Sequence, residues 1–466
     1  MLTQLRIQNF KGWKDTGTIR MAPITLFFGA NSSGKSSIGQ FLMLLKQTVE
    51  SQDRKAVLFP GGKNAAVQLG SFQEMVFDRN KSNAIEFEYH WSLSDRLDLF
   101  DQLSGDRYSV SDLQFRAEVG MSSPEEQSVS VNFFNYSLFN QDTQTMAVSM
   151  TRKTDSKPNK KPEFKIESET YDLKRGLGRV WYPGPPVRFY GFPDEVVAYH
   201  QNAEFVQELN LSQEKLFRSV SYLGPMRTKA DRLYTWSGIE PESVGYIGEN
   251  TVPAMLAAKS RKISMGYKQK NFPFEQVIAQ KLKDMGLIED FQVRSIAKDR
   301  QNYEVKVKTK GSTGLVDLPD VGFGVSQVLP VLVECFYAPA NSIILMEQPE
   351  IHLHPRAQSL LADVLIDAIN ARENGKDRNI QLVIETHSEH FLRRLQRRIA
   401  EKKLTRDKVS AYFADVSQTP AALDELKLDM FGNISNWPEN FFGDEMEDIT
   451  AQSKAALEQR MKDGAK

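Results

Sequence analysis

A glycine-rich octapeptide near the N-terminus has the residue types and spacing of a phosphate-binding loop. The segment GANSSGKS places glycines at Gly29 and Gly34, followed by Lys35 and Ser36. Glycines let the main chain curve around phosphate oxygens, and successive N–H groups and the positive end of a following helix stabilise negative charge. Lys35 is predicted to reach the terminal phosphates, and the Ser36 hydroxyl to bind Mg²⁺. The predicted nucleotide contacts are Gly29, Ala30, Asn31, Ser32, Ser33, Gly34, Lys35, Ser36 and Ser37.

A magnesium nucleotide site also needs an acidic residue at the end of a neighbouring apolar strand. The apolar run 343–346 ends in Glu347, which is therefore predicted to bind the metal directly or through water. The next apolar run, 382–384, leads through Glu385 and Thr386 to His387 at the same predicted sheet edge. Two roles are open for His387: a hydrogen bond to a γ-phosphate, or a cap on its own helix.

Hydrophobic periodicity predicts the elements that position these residues. Residues 24–28 form an apolar run typical of a strand buried on both faces, and residues 36–46 have helical spacing. Residues 81–200 alternate in short segments, which predicts an antiparallel β arm whose 151–165 stretch is a loop. After residue 320 strands and helices alternate, as in a parallel α/β sheet. The predicted order there is a helix from about Ser326, a strand at 343–346, a helix at Pro355–Asn370, a strand at 381–384 and a helix at 388–402.

Composition and charge limit the classes of protein. Lys and Arg number 59 against 60 Asp and Glu, and 40% of residues are hydrophobic, which excludes a disordered chain, collagen or a disulfide scaffold. The single cysteine, Cys335, cannot pair within the chain, so a reducing cytoplasm is predicted. No signal peptide or membrane span is predicted. With a net charge of −1, the chain lacks the strong overall electrostatic field expected of a dedicated nucleic-acid binder, although local basic patches remain possible.

Together these motifs resemble the ABC-type ATPases of the SMC, RecF and OLD group, in order through both ends of the chain. The resemblance implies an α/β fold, a P-loop ATPase head with a mixed or parallel core sheet, an antiparallel β arm and a helical insertion. It implies ATP and Mg²⁺ as cofactors. The predicted domains are 1–80, the N-terminal part of the head; 81–202, the β-rich arm; 203–320, a sensor or effector-binding insertion; and 321–466, the C-terminal part of the head with its tail.

The resemblance further implies that a signature motif on one subunit completes the nucleotide site of another. Its counterpart here is the glycine-rich segment 321–327, with Gly324, Ser326 and Gln327 as predicted nucleotide contacts. ATP would then lie between the heads of a homo-oligomer. The segment 353–355 resembles the dimer-contact loop of the family. Gln68 and Gln73 are candidates for the contact between lobes, with a plain surface role equally open.

The chain departs from the family pattern directly after Glu347. The family has a second acid there as general base, whereas this chain has Gln348. Glutamine cannot accept the proton, although it can orient a water. Either Glu350 is the base, or hydrolysis is slow and the ATP-bound state is long-lived. The predicted catalytic residues are Lys35, Glu347, Gln348, Glu350 and His387, and the predicted metal ligands are Ser36 and Glu347.

The C-terminal part of the chain indicates which partner proteins to expect. About 80 residues follow His387, and they lack the carboxylate arrangement of two-metal nucleases. The stretch 437–444 resembles the C-terminal module of ATPases from two-gene phage-defence systems such as PARIS. The resemblance implies a sensor and scaffold for a separate nuclease or toxin, responding to a viral trigger protein. The rivals are a RecF-like DNA-repair ATPase, a transporter subunit, and a scaffold that binds ATP without hydrolysing it.

Charged segments leave further alternatives open. Arg227, in a segment 222–227 that resembles one from defence-associated ATPases, is equally open to a phosphate or partner contact and to an ordinary salt bridge. The basic clusters at 259–262 and 393–398 either contact a nucleic-acid backbone or form solvated faces. The acidic run 444–448 is predicted to face solvent or a partner.

Overall fold

The computed structural model describes residues 1–122, 128–153, 162–178, 182–297, 301–416, 419–438, 441, 450–456 and 459. Residues 154–161 of the predicted loop at 151–165 and the acidic run 444–448 lie outside the described residues, whereas residues 151–152 and 164–165 belong to strands. In the described ranges the α-helices are α1 (Lys35–Glu50), α2 (Phe72–Met75), α3 (Asp194–Tyr199), α4 (Phe205–Arg218), α5 (Thr251–Ala257), α6 (Phe274–Asp284), α7 (Phe323–Tyr337), α8 (Pro355–Asn370) and α9 (Glu389–Ala400). No helix there is both long and apolar enough to cross a membrane.

Strands form four sheets in the same ranges. The strands are β1 (Leu2–Phe10), β2 (Trp13–Asp15), β3 (Ile19–Arg20), β4 (Ile24–Gly29), β5 (Ile85–Phe100), β6 (Arg107–Met121), β7 (Val129–Asn140), β8 (Thr143–Arg152), β9 (Phe164–Glu169), β10 (Val220–Leu223), β11 (Tyr234–Thr235), β12 (Lys262–Ser264), β13 (Phe272–Pro273), β14 (Asp290–Ser295), β15 (Asn302–Lys308), β16 (Val316–Asp317), β17 (Ile343–Glu347), β18 (Arg372–Glu373), β19 (Lys376–Asp377), β20 (Gln381–Glu385), β21 (Val409–Asp415) and β22 (Ala422–Glu425).

The core sheet has the order β10-β17-β20-β4-β21-β22 and is parallel except for β22. In β17, β20 and β4 every residue before the last is buried, which explains their continuous apolar sequences. The register pairs Glu347 with Glu385, and Glu385 with Phe27. The carboxyl ends of the three strands therefore meet at one edge of the sheet.

The predicted antiparallel arm, residues 81–202, contributes β5 to β9 to an eight-stranded sheet, ordered β2-β1-β5-β6-β7-β8-β9 with β3 beside β1. The first three strands of this sheet come from residues 2–20, outside the predicted bounds of the arm. Its strands alternate buried and half-buried residues, as in the first half of β5. Aromatic side chains on the buried face pack against α1: the rings of Phe41 and Phe87 are 5.1 Å apart. The arm therefore fixes the helix that follows the phosphate loop. These sheets confirm the predicted α/β fold, with its mixed core sheet and β arm.

The region between arm and C-terminal head differs in one respect from the predicted insertion at 203–320. β10 is a strand of the core sheet, pairing with β17 from Val220 to Leu223, and α4 packs on α1. The separate elements begin after residue 223 and comprise α5, α6 and two small sheets, of which one also contains β18 and β19. A four-residue strand that pairs across more than a hundred residues leaves little local signal.

A carboxylate joins the two helices of the C-terminal head. Asp363 of α8 accepts hydrogen bonds at 2.6 Å from Arg394 and from Arg398 of α9. Desolvation raises the pKa of the Asp363 carboxyl, but the hydrogen bonds from Arg398 and Arg394 outweigh it and hold the pKa below its usual value. The ion pairs therefore stabilise the folded state whenever Asp363 is ionised.

We expect Asp363→Asn to lower the free energy of unfolding by about 1–2 kcal/mol near pH 7, since two partly buried arginines lose their partner. Because the pKa of Asp363 is lower in the folded state, its contribution to stability is complete above the unfolded pKa of about 3.9 and is lost as the pH falls through the folded pKa. The difference in free energy of unfolding between wild type and variant should accordingly shrink below about pH 4. Urea unfolding at several pH values measures it, with the exposed ion-pair variant Glu389→Gln as control; equal effects of the two variants would contradict the assignment.

Candidate nucleotide site

The phosphate loop lies where the sequence places it, between the end of β4 at Gly29 and the start of α1 at Lys35. Gly29 and Gly34 have φ values of 143° and 88°, and a Cβ on Gly29 would lie 2.7 Å from the Ala414 carbonyl oxygen. Only glycine is compatible with that combination. Lys35 Nζ donates to the carbonyls of Gly29 at 3.1 Å and Ala30 at 2.6 Å. Burial lowers the pKa of the Lys35 ammonium, and the Glu385 carboxylate opposes that shift.

Trp13 supports this loop from the β arm, which the sequence motifs did not indicate. Its ring is fully buried, and Nε1 donates to the Ser37 hydroxyl at 2.8 Å and to the Gly34 carbonyl at 3.2 Å. A Cβ on Gly34 would lie 3.3 Å from the indole ring. Trp13 therefore fixes the turn from the loop into α1.

Glu347 ends β17 at the same sheet edge. Its Oε1 accepts a hydrogen bond of 2.8 Å from the Tyr222 hydroxyl, which β10 supplies. Burial raises the pKa of Glu347 to about 7; the hydrogen bond from Tyr222 lowers it, and the carboxylate of Glu385 raises it. Lys11, whose Nζ donates to Gln40 Oε1 at 2.5 Å, also lowers it. Glu347, Glu385 and Lys11 thus interact electrostatically across one site.

The oxygen donors at this edge fit a magnesium ion. Ser36 supplies a hydroxyl, and Glu347 a carboxylate whose second oxygen has no hydrogen bond to a described residue. In the described part of the chain no group of three or more His, Cys, Asp or Glu residues is placed to hold a metal. Mg²⁺ is usually held by one or two protein oxygens together with phosphate and water. A cavity of about 410 Å³ adjoins the loop, with Lys11, Ser32, Ser36 and Gln40 in its lining, and offers space for the rest of a nucleotide.

Gln348 and Glu350 occupy different environments in the turn after Glu347. Gln348 is half-buried, with a φ of 45°, and its N–H donates to the Glu385 carbonyl at 2.8 Å. Glu350 is 6% exposed, and its Oε1 accepts from the Thr386 hydroxyl at 2.7 Å and the His387 N–H at 2.9 Å. Desolvation raises the pKa of Glu350. Glu350 therefore joins the turns that follow β17 and β20.

His387 is exposed at this edge. Partial desolvation and the nearby Lys35 ammonium lower the pKa of His387, which favours the neutral ring. The effect of Lys35 shows that His387 lies near the phosphate loop. The helix-cap alternative for His387 is wrong: Ser388 is the N-cap of α9, and its hydroxyl accepts from the Phe391 N–H at 3.1 Å. A hydroxyl is a better N-cap acceptor than a ring placed one residue earlier.

Arg227 reaches the same turn from the segment after β10. Its side chain is buried, and Nη2 donates to the carbonyls of Glu347 at 3.1 Å and Gln348 at 3.3 Å. Burial lowers its pKa to about 10, and the Glu350 carboxylate opposes that shift. Its Nε and Nη1 have no hydrogen-bond partner among the described residues. Neither sequence alternative for Arg227 described a buried donor to two main-chain carbonyls.

The predicted signature segment, residues 321–327, forms the start of α7 and packs on the turn after β17. α7 begins at Phe323, and the Ser326 hydroxyl donates to the Phe323 carbonyl at 3.0 Å. A Cβ on Gly324 would lie 3.3 Å from the His352 carbonyl, so the helix start packs on the turn after β17. Gln327 is buried. Within the described ranges no hydrogen bond joins residues 321–327 to the phosphate loop.

The remaining candidates lie elsewhere. Gln68 and Gln73 donate to the carbonyls of Lys63 and Arg79 in their own loop. In the basic cluster 393–398 every arginine is paired: Arg394 and Arg398 with Asp363, Arg393 with Glu389, and Arg397 with Glu401. In the cluster 259–262, Arg261 forms a two-bond pair with Glu373, whereas Lys259 and Lys262 are exposed. Ion pairing favours the surface interpretation of the 393–398 cluster.

The fold and this site define an α/β nucleotide-binding protein of the P-loop class. The chain belongs to the AAA ATPase domain family, whose model matches residues 1–177 and 241–392, more than half of its length. A second family, described as a protein of unknown function (DUF3696), matches residues 404–452. No curated protein matches the chain. The assignment as an ATPase agrees with the sequence prediction.

Solved structures of SMC head domains are similar over most of the chain. The SMC head domain from Thermotoga maritima covers 91% of this chain and 99% of its own, with 9% identity and a TM-score of 0.40. The SMC head bound to the C-terminal winged-helix domain of ScpA covers 92% and 98%, with 10% identity and a TM-score of 0.41. An SMC head with an extended coiled coil, bound to the C-terminal domain of ScpA from Pyrococcus furiosus, covers 92% and 96%, with 9% identity and a TM-score of 0.41.

Trp13→Phe should weaken nucleotide binding about fivefold, because it removes one N–H donor, worth about 1 kcal/mol, and retains an aromatic ring. Titration calorimetry with ATP and Mg²⁺ measures the change. Trp236→Phe is the matched control, since Trp236 Nε1 donates at 2.8 Å to the Ile239 carbonyl in the insertion. Equal affinities of wild type and Trp13→Phe would show that the indole N–H does not support the loop.

Arg227→Met should lower kcat about 10- to 100-fold, because small misplacement of catalytic groups costs rates of that size. The ATP dissociation constant should change less than about threefold, since the phosphate loop is untouched. Steady-state turnover and calorimetry give the two values. Arg232→Met is the control: Arg232 is exposed and pairs with Asp317 and Asp320 in the same segment. Parallel losses of kcat and affinity would indicate general disruption of the site instead.

Proposed function

We propose that this ATPase is of the ABC type found in the SMC, RecF and OLD group, and that its heads assemble around ATP. The observation that supports it is the meeting of three strand exits at one sheet edge. The phosphate loop follows β4, Glu347 ends β17 and His387 follows β20, in the parallel register described above. Lys35 and Ser36 would hold the terminal phosphates and Mg²⁺, with Glu347 as the second metal anchor.

The position of the signature segment supports assembly of a homo-oligomer. Phe323 is 66% exposed, and its ring lies 6.3 Å from that of His352. Gly324, Ser326 and Gln327 would approach the nucleotide of a second head, where the start of α7 offers N–H groups to the γ-phosphate. A ligand held between two heads stabilises the assembly by mass action. ATP occupancy would therefore set the fraction of assembled protein.

Hydrolysis at this site would be slow. We assign Gln348 the task of orienting the attacking water, which it can do by hydrogen bonding without accepting a proton. Glu350 is already engaged by Thr386 and His387 through one oxygen, which favours a positioning role over that of general base. His387 would hydrogen-bond the γ-phosphate. A long-lived ATP state suits a switch better than a motor.

The switch would serve antiviral defence in the cytoplasm. The separate elements between residues 224 and 320 would sense a viral trigger protein or hold an effector subunit, a nuclease or toxin encoded nearby. The sequence resemblance at 437–444 supports this part of the proposal. This role does not require nucleic acid, and pairing of the arginines of the 393–398 cluster with carboxylates is consistent with a solvated face there.

Lys35→Ala should abolish ATP-dependent assembly while the chain stays folded, because the phosphate loop loses its only ammonium. Light scattering after size-exclusion chromatography, with and without ATP and Mg²⁺, measures it. Lys14→Ala, at an exposed lysine of β2, should assemble like the wild type. Turnover of the wild type should stay below about 10 s⁻¹. Nucleotide-independent assembly of the wild type, or assembly of Lys35→Ala with ATP, would reject the switch.

A further inference from the structure

A large cleft lies on the far side of β10 from β17. Its volume is about 1430 Å³, and its walls come from α1, α4, residues 187–194 and the loop at 242–246. Residues 219–222 line it, so most of the edge strand of the core sheet forms one wall. Pockets for small molecules usually occupy about 300–1,000 Å³. The cleft is therefore large enough for a segment of polypeptide.

The outer edge of β10 is not paired. β10 is the terminal strand of the core sheet, and in the described residues no main-chain hydrogen bond reaches residues 220–223 from outside the sheet. The neighbouring Gly224 N–H donates to the Tyr246 carbonyl at 2.8 Å, which closes one end. Exposed edges are ordinarily blocked by charges or proline, whereas β10 (VSYL) has neither and lies in a recess. Such an edge can pair with one added strand, and its position in a recess prevents open-ended aggregation.

Polar atoms without partners surround the same strand. Glu334 is 1% exposed, and its Oε2 accepts from the Val244 N–H at 3.0 Å. Burial raises the pKa of the Glu334 carboxyl, and the neighbouring Ser221 hydroxyl opposes that shift, although neither Oε1 nor the hydroxyl has an aligned hydrogen bond among the described residues. Arg188 Nε is buried without a hydrogen-bond partner there. All three residues line the cleft. Buried polar atoms of native proteins are seldom left unpaired, so these atoms indicate a ligand that supplies hydrogen bonds.

We propose that the cleft binds an extended segment of a partner protein, which adds to β10 as a further strand. Main-chain hydrogen bonds to an exposed sheet edge are an established way to bind peptides. A Lys or Arg side chain of the segment would reach Glu334. Acidic side chains of the segment would face Arg54, Lys55 and Lys215, which line the cleft and are exposed. The lining also contains four other acidic residues that basic side chains of the segment would face: Glu50, Asp194, Glu214 and Glu242. Charge complementarity thus favours a segment that carries charges of both signs.

The cleft is connected to the nucleotide site through Tyr222. This residue lines the cleft, while its hydroxyl donates to Glu347 Oε1 at 2.8 Å. A strand added to β10 would restrict the movement of the Tyr222 side chain, and thereby the position of the Glu347 carboxylate at the end of β17. This coupling rests on the proposed function as an ATPase, whereas binding of the segment does not.

Selection of 12-residue peptides displayed on phage against the full-length wild-type chain tests the proposal. Selected peptides, made synthetically, are measured against Arg218→Cys, at an exposed position of the cleft two residues before β10, before and after reaction with N-ethylmaleimide. The reagent is site-specific because the single native cysteine, Cys335, is fully buried. Gln207→Cys, modified in the same way at an exposed position of α4 outside the cleft, is the control. Lys215→Glu, at an exposed residue, tests the charge argument without threatening the fold.

Modified Arg218→Cys should bind at least tenfold more weakly than the unmodified variant, and modified Gln207→Cys should bind like wild type. Lys215→Glu should weaken binding severalfold, and the peptides should carry charges of both signs. Bound peptide should change kcat at least threefold in wild type and have no effect in Tyr222→Phe. Failure to select a peptide sensitive to modification at residue 218 would overturn the proposal. Peptide binding retained by Lys35→Ala, together with absent turnover in wild type, would reject the ATPase proposal alone.

Discussion

The parallel register of β17, β20 and β4 is the constraint on which the nucleotide site depends. It places Glu347 beside Glu385, and Glu385 beside Phe27, two residues before the phosphate loop begins at Gly29. A shift of one residue would turn the buried side chains of a strand to the opposite face, and both faces of these strands are packed. Burial of the strands therefore fixes the distance between the loop and the acidic strand ends.

This geometry concentrates charge at one edge. Two carboxylates, Glu347 and Glu385, end adjacent strands, and burial with their mutual repulsion contributes to a pKa of about 7 for Glu347. Lys35 lies near Glu385, and Lys11 near Glu347. Opposite charges within a few ångströms compensate part of the desolvation cost of each group. A bound metal would add positive charge to this arrangement, and a triphosphate would add negative charge. A site that contains both carboxylates and ammonium groups can compensate the two.

The sequence predicts those parts of the structure whose signal is local. The loop between Gly29 and Ser36, the apolar strands and helices such as Pro355–Asn370 are each defined by residues within one short window, and all of them are present. Trp13, Tyr222 and Arg227 contact the site from distant segments, and nothing in their own neighbourhoods specifies those contacts. Likewise, β10 is too short to be assigned to a sheet before its partner is known. The sequence leaves the cap of α9 open because Ser388 and His387 are adjacent and both have polar side chains able to cap a helix.

The distant contacts share a consequence for regulation. Trp13 belongs to the arm sheet, Tyr222 to the edge strand, and Arg227 to the segment that leads into the insertion, yet each hydrogen-bonds to a different part of the same site. Gln348, held at a positive φ between the Glu385 carbonyl and Arg227, is the residue whose conformation depends most on such support. A left-handed glutamine is costly unless its surroundings maintain it. Displacement of the segments that carry Tyr222 or Arg227 therefore changes the turn at Glu347 and Gln348 more readily than the phosphate loop, whereas displacement of Trp13 acts on the loop itself.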